Sequence, residues 1–149
     1  MKRILAAFIL VAGCAATDGA PAAPEQYQSL AAPTPEGVAL VIRSDSDGQN
    51  VTAKVGTRIA VELVGVPTAG YMWTPVETPA FLEAAGEYGG PTSTAQSEPG
   101  FAGGNHWEAF LFKVTGAGEG VLKFEQRRPF DPAEEPAAAA FSVYLFAEE

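Results

Sequence analysis

The sequence predicts an all-β fold: an immunoglobulin-like sandwich of two antiparallel sheets with about seven to eight strands. Three observations carry this expectation. Short runs rich in Val, Ile, Phe, Tyr and Thr recur between residues 38 and 146, separated by Gly, Pro, Asn and Asp. Residues 58–64 alternate strictly, with Ile59, Val61 and Leu63 opposing Arg58, Ala60 and Glu62, the period of a strand with one face on a core. No stretch carries the apolar spacing of an amphipathic helix.

The elements follow in chain order. Residues 1–13 read as a signal peptide: Lys2 and Arg3 form a positive start, and residues 4–11 are apolar but too short to span a bilayer as a helix. Val11-Ala12-Gly13-Cys14 then resembles a bacterial lipobox, which makes Cys14 the expected lipid anchor. As the sole cysteine, Cys14 excludes disulfides within the chain and Cys-based metal sites. Residues 14–36 read as an Ala/Pro-rich tether, stiffened by Pro21, Pro24, Pro33 and Pro35. The expected location is the bacterial cell envelope, anchored by lipid, with the outer membrane favoured because Ala15 follows Cys14. A plain signal peptide would leave the protein periplasmic or secreted.

Residues 37–149 form the expected domain. A β-rich run at 38–44 ends in the turn Asp45-Ser46-Asp47-Gly48. Strands are expected at 50–55, 58–64, 71–76, 81–88, 107–114, 121–126 and 141–146. The run 107–114 is apolar on both faces, so alternation does not tell which face is buried. With no Cys pair across the sheets, the core must hold by packing alone.

Charge narrows the function classes. The 149-residue chain carries 9 basic and 18 acidic side chains, a formal −9. Loss of Lys2 and Arg3 with the signal peptide leaves 7 basic against 18 acidic, or −11. Binding to nucleic acid or docking of the domain face on anionic lipid needs the opposite sign. Membrane contact is expected through the N-terminal lipid alone, and the domain is expected to be a monomer. An enzyme reading finds no second histidine beside His106, no nucleophile elbow, no phosphate-binding glycine loop and no metal-ligand spacing, so no cofactor is expected.

Three loops concentrate the remaining information. They hold Pro67-Thr68-Ala69-Gly70-Tyr71-Met72-Trp73, Gly100-Phe101-Ala102-Gly103-Gly104 and Arg127-Arg128-Pro129-Phe130. In a sandwich whose strands run alternately up and down, all three emerge at the same end by parity, the way antibody-like scaffolds present a composite surface. The loop at about 89–106 is long enough to suggest a function of its own. Trp73 is expected in the core, Tyr71 as support for its loop, and Trp107 either under the loop or in an interface.

In this order and spacing the motifs resemble those of the chagasin-like inhibitors of papain-type cysteine peptidases. That pattern reads Asn-Pro-Thr-Thr-Gly-aromatic-x-Trp, then Gly-x-Gly-Gly, then Arg-Pro-Trp/Phe. Pro67, Thr68, Gly70, Tyr71 and Trp73 match the first, with Val66 and Ala69 as departures. Gly103 and Gly104 match the second, with Phe101 in place of its leading glycine. Arg128, Pro129 and Phe130 match the third. The resemblance implies reversible occlusion of a peptidase cleft, with no catalysis. Thr68 would lie nearest the catalytic Cys-His pair, Gly103-Gly104 would meet one wall, and Arg128 and Phe130 the other. The peptidase-binding set so implied is Pro67, Thr68, Ala69, Gly70, Tyr71, Gly103, Gly104, Arg128, Pro129 and Phe130. The competing expectation is a lipid-anchored adhesion or envelope module that keeps the scaffold without inhibiting; loop geometry around Val66 and Phe101 separates the two.

Overall fold

The computed structural model describes residues 28–132 and 134–149. Cys14, the signal peptide and the first part of the tether lie outside them. Eight strands form two sheets: β1 (Leu40–Arg43), β2 (Asn50–Lys54), β3 (Arg58–Gly65), β4 (Met72–Glu77), β5 (Leu82–Pro91), β6 (His106–Val114), β7 (Gly118–Arg127) and β8 (Ala139–Glu148). One sheet has the order β1-β3-β6-β5 and the other β2-β8-β7-β4.

The all-β sandwich is thus as the sequence predicts, but the sheets are mixed where purely antiparallel ones were expected. β1 pairs parallel to β3, and β2 parallel to β8. The cause is topological. The chain passes β1 to β2 to β3 by changing sheet each time, so β3 returns to the first sheet in the direction of β1. Strand direction still alternates along the chain, as the antiparallel pairs β3–β6, β5–β6, β7–β8 and β4–β7 require. The connections after β3, β5 and β7 therefore share one end.

Between the sheets, Ile59, Val61 and Leu63 of β3 meet Leu122 and Phe124 of β7 and Phe141, Val143 and Leu145 of β8. Phe124 sits at the centre, with ring centroids 4.9 Å from Phe110, 6.4 Å from Phe112 and 6.3 Å from Phe141. Tilted and edge-on pairs of this kind favour contact beyond area burial alone.

Alternation understated how much of β3 is buried, and β6, apolar on both faces, is buried on both. Ala60 and Glu62 face away from the core yet are 0% and 4% exposed, and Ala109 and Leu111 of β6 are buried as well. Residues 28–36, which fall in the stretch read as tether, account for this by crossing that outer face. The backbone of Leu30 meets Thr92, Pro33 lies against Gly90, Thr34 donates to Glu62, and the Glu36 carbonyl accepts from Arg58. Glu62 also takes a 2.8 Å bond from Arg43, so its buried carboxylate is paired, as burial of a charge demands. Gly37, at φ 81°, turns the chain back into β1; a Cβ there would stand 2.6 Å from the Arg58 guanidinium.

At the opposite margin of the sandwich, β4 and β5 are edge strands, and each is interrupted. Register shifts fall between Pro75 and Glu77 and between Ala84 and Gly86. Pro75 also removes a donor, and Glu83 and Glu87 are exposed along β5. Bulges, proline and charge are the usual protection of an open edge against pairing with another chain.

Candidate functional site

The first loop crosses from one sheet to the other. Val66 and Tyr71 close its base by exchanging backbone bonds, Val66 N–H to Tyr71 O at 2.9 Å and Tyr71 N–H to Val66 O at 3.1 Å. Inside, Pro67 starts the 3-10 turn Pro67–Ala69, whose fixed φ suits a first helical position. Ala69 N–H bonds to Val66 O, and Gly70 ends the turn at φ 82°. Thr68 and Ala69 are left exposed at the tip. Val66 caps nothing with its side chain, yet the turn is closed by backbone alone.

Two further residues hold the base, and sequence reading found only one. Trp73 packs against the core and sends its indole N–H 2.9 Å to the Val64 carbonyl. Glu108, on β6, accepts the Trp73 backbone N–H at 2.9 Å and so ties the two sheets together below the loop. Its other oxygen, Oε1, is buried without a hydrogen-bond partner among the described residues. A Cβ on Gly65 would lie 1.7 Å from that oxygen, so only glycine leaves room for the carboxylate. Burial pushes the Glu108 carboxyl above the usual carboxylate range, and Glu87 adds to this; the Trp73 N–H and His106 oppose it.

The sign of the linkage gives a prediction. A carboxyl whose folded pKa is raised contributes stability that is full below its unfolded value and lost as pH rises through the folded one. Glu108→Gln keeps an acceptor for Trp73 and removes the charge. The variant should melt above the wild type at pH 7, and the gap should close as pH falls to 4. Calorimetry at the two pH values checks this; a gap that does not shrink would mean that something other than the carboxylate charge sets it.

The second loop is shorter than expected, because β5 runs on to Pro91 and β6 begins at His106. Its first part is the 3-10 turn Thr94–Ser97, held by a capping box between Ser93 and Gln96. Gln96 is the hub. Its Oε1 accepts from the N–H groups of Thr92 and Ser93, and its Nε2 donates 2.8 Å to the Asn105 carbonyl, which draws the two ends of the loop together. Gly100, Gly103 and Gly104 take φ of 84°, 84° and 104°. Phe101 N–H bonds to Glu98 O, and its ring covers Gly104 while staying 45% exposed.

The third loop is organised around Arg128. Asp131 accepts from Nε and Nη2 at 2.9 Å each, and the guanidinium carbon stands 5.2 Å from the Tyr71 ring and 5.0 Å from the Phe130 ring. The Arg128 stem also touches Gly70, with Cγ 3.4 Å from where a Cβ would be. Arg128 holds Asp131 below the usual carboxylate range, and Asp131 raises the guanidinium in turn. The side chain thus joins the third loop to the first, with Nε and Nη2 engaged by Asp131. Phe130 stands out at 74% exposed.

Arg128→Lys should weaken any function of this end several-fold, because an ammonium cannot bind bidentately while stacking between two rings. Inhibition assays beside a melting curve check it; unchanged inhibition would reduce Arg128 to a point charge.

All ten sequence-predicted site residues fall at one end, and the first two loops come close: Thr68 Oγ1 is 3.9 Å from where a Cβ on Gly103 would stand. Thr68, Ala69, Gly103, Pro129 and Phe130 are exposed, while Pro67, Gly70, Tyr71, Gly104 and Arg128 are half-buried supports. Trp107 turns away and gives its indole N–H to Leu30 O at 2.8 Å. Asp47 and Gly48 pin the β1–β2 turn to Ser142 on β8, a structural use of the acidic turn. Among the described residues no His/Cys/Asp/Glu cluster could hold a metal, and no helix is long and apolar enough to cross a membrane.

Residues 52–145 match the model of the chagasin family peptidase inhibitor I42. No curated protein matches the sequence at a significant level. Among solved structures, the chain is similar to the cysteine protease inhibitor EhICP2 from Entamoeba histolytica, at 13% identity and TM-score 0.63, over 75% of this chain and 100% of that one. Amebosin is similar at 23% identity and TM-score 0.56, over 73% and 97%. PbICP-C in complex with falcipain-2 aligns at 16% identity and TM-score 0.47, over 72% and 98%. At these identities the first two solved structures establish a shared fold.

Proposed function

The chain belongs to the chagasin family, whose members are peptidase inhibitors and not enzymes, and on that footing we propose that it blocks papain-type cysteine peptidases by filling their cleft with the three loops. Such an enzyme attacks a peptide carbonyl with a thiolate activated by histidine. The tip at Thr68 and Ala69 enters beside that pair and offers no carbonyl in attack geometry. Gly103 and Gly104 let the second loop approach one wall by its backbone, and Phe130 is the aromatic anchor on the other. Arg128 serves from within, fixing Phe130 and the first loop relative to each other.

The observation that carries this reading is the gathering of all three loops at one end, each closed by backbone bonds or side-chain clamps before any partner arrives. Preorganised loops lose less entropy on binding. Val66 and Phe101 leave both loops closed, which favours the inhibitor over the scaffold-only module. Titration against papain and a cathepsin L-type enzyme with a fluorogenic substrate tests it. Inhibition at nanomolar concentration without cleavage of the inhibitor is the expected result; none at micromolar concentration from a folded sample overturns it.

The same proposal includes a monomeric domain held at the bacterial envelope, in the outer membrane, by acylation of Cys14. Mass spectrometry of the mature N-terminus, with Cys14→Ser as control, tests the anchor, and light scattering tests the monomer.

A further inference from the structure

The family match begins at residue 52 and the three motifs lie within it, so residues 28–36 stand outside everything assigned above. Yet the contacts of residues 28–30 fall mainly on the second loop. Ser29 forms an antiparallel bridge with Ser93. Leu30 N–H bonds to Thr92 O at 2.9 Å, Thr94 N–H to Gln28 O at 3.0 Å, and Gln28 N–H to the Thr94 hydroxyl at 3.0 Å. The loop is thereby gripped at 92–94, where the Ser93 capping box starts its 3-10 turn and where Gln96 gathers its two ends.

The grip has a fixed support. Trp107 lies on β6, paired with Gly90 one residue inside the end of the register that pairs Pro91 with His106, and its indole N–H holds Leu30 O at 2.8 Å. Further along, Pro33 covers Gly90, and the chain is fastened to Glu62 and Arg58 of β3. A loop rich in glycine gains most from such outside fastening, since its own residues restrict the backbone least.

We propose that residues 28–36 are a strap that holds the 92–105 loop in its binding shape, with Leu30 and Trp107 as positioning residues; this rests on the inhibitory reading of that loop. The strap makes the segment upstream of the sandwich part of the inhibitory apparatus.

The test uses the full chain. Leu30→Pro removes the N–H given to Thr92, while Leu30→Ala keeps it; Trp107→Phe removes the indole donor and keeps an aromatic ring. Two readouts are taken: the inhibition constant against papain, and hydrogen exchange at the Thr94 amide compared with the β8 amides. Leu30→Pro should raise the inhibition constant five- to twentyfold and speed Thr94 exchange tenfold or more, with β8 exchange unchanged. Trp107→Phe should do the same to a smaller degree, and Leu30→Ala should match the wild type. Equal inhibition by Leu30→Pro and Leu30→Ala, or unaltered Thr94 exchange, overturns the strap. Failure of the wild type itself to inhibit overturns the inhibitory reading, and Thr94 exchange then still decides whether the strap holds the loop.

Discussion

Gly104→Ala should raise the inhibition constant against papain about 10- to 100-fold while leaving the domain folded, since one residue forced into such a backbone region costs about 1–3 kcal/mol. Gly104 stands at φ 104°, a region closed to L side chains. An added Cβ would also come within 3.0 Å of Gln96 Nε2 and 3.2 Å of the Phe101 ring. Gln96 cannot yield without loosening Thr92, Ser93 or Asn105, so the disturbance spreads through the second loop and not into the core. Inhibition constants measured beside calorimetric melting curves check the split. An inhibition constant unchanged in a variant that melts normally would remove the second loop from the interface.

Phe124→Ala should have the opposite signature. Phe124 is fully buried at the meeting point of Phe110, Phe112 and Phe141. Truncating such a ring costs about 3–5 kcal/mol in lost transfer energy and residual cavity. A domain of this size commonly has about 5–15 kcal/mol in all. No disulfide limits the unfolded chain, since Cys14 is alone. The melting temperature should therefore fall by more than 10 °C, at roughly 4 °C or more per kcal/mol. Inhibition should recover at low temperature wherever the folded fraction does, because no loop contact is altered. Urea titration followed by tryptophan fluorescence measures the loss; a cost below about 1 kcal/mol would mean that the neighbouring rings close the gap.

Much of this molecule is legible from local pattern. Alternation at 58–64 and at 121–126 names the inward residues, because a strand's side chains must point to opposite faces and only one face meets the core. Parity then brings three loops to one end without any knowledge of which strands pair. The pairing itself is not local: nothing in residues 38–55 says that β1 and β2 join different sheets, so the parallel ladders escaped notice. Composition misled at 28–36. Proline and alanine forbid a regular ladder there, but they do not forbid lying flat on one, and the buried Ala60, Glu62 and Leu111 are the trace of that covering.

The site divides in the same way. Turn-forming residues advertise themselves by type, so Pro67, Gly70, Gly103 and Gly104 were found. Their clamps do not. Glu108 is a single carboxylate in an apolar strand, Gln96 an amide in a polar loop, and Asp131 a charge near a proline. Each acquires its role only from a partner far away in sequence or from the local fold. Arg128 shows the limit of a motif: it lies with the other motif residues at one end, but its guanidinium is already engaged by Asp131 and two rings of the protein itself.

The course of residues 28–36 fixes where the upstream chain departs. Gln28 lies beside Thr94, at the end that carries the loops, not at the far pole of the sandwich. If Cys14 carries the proposed lipid, the domain is leashed by its head. The residues between that anchor and the domain would reach at most about 50 Å when stretched, and an enzyme seated on the loops would have to fit alongside that leash. Under that anchoring, capture would be a question of clearance as well as affinity.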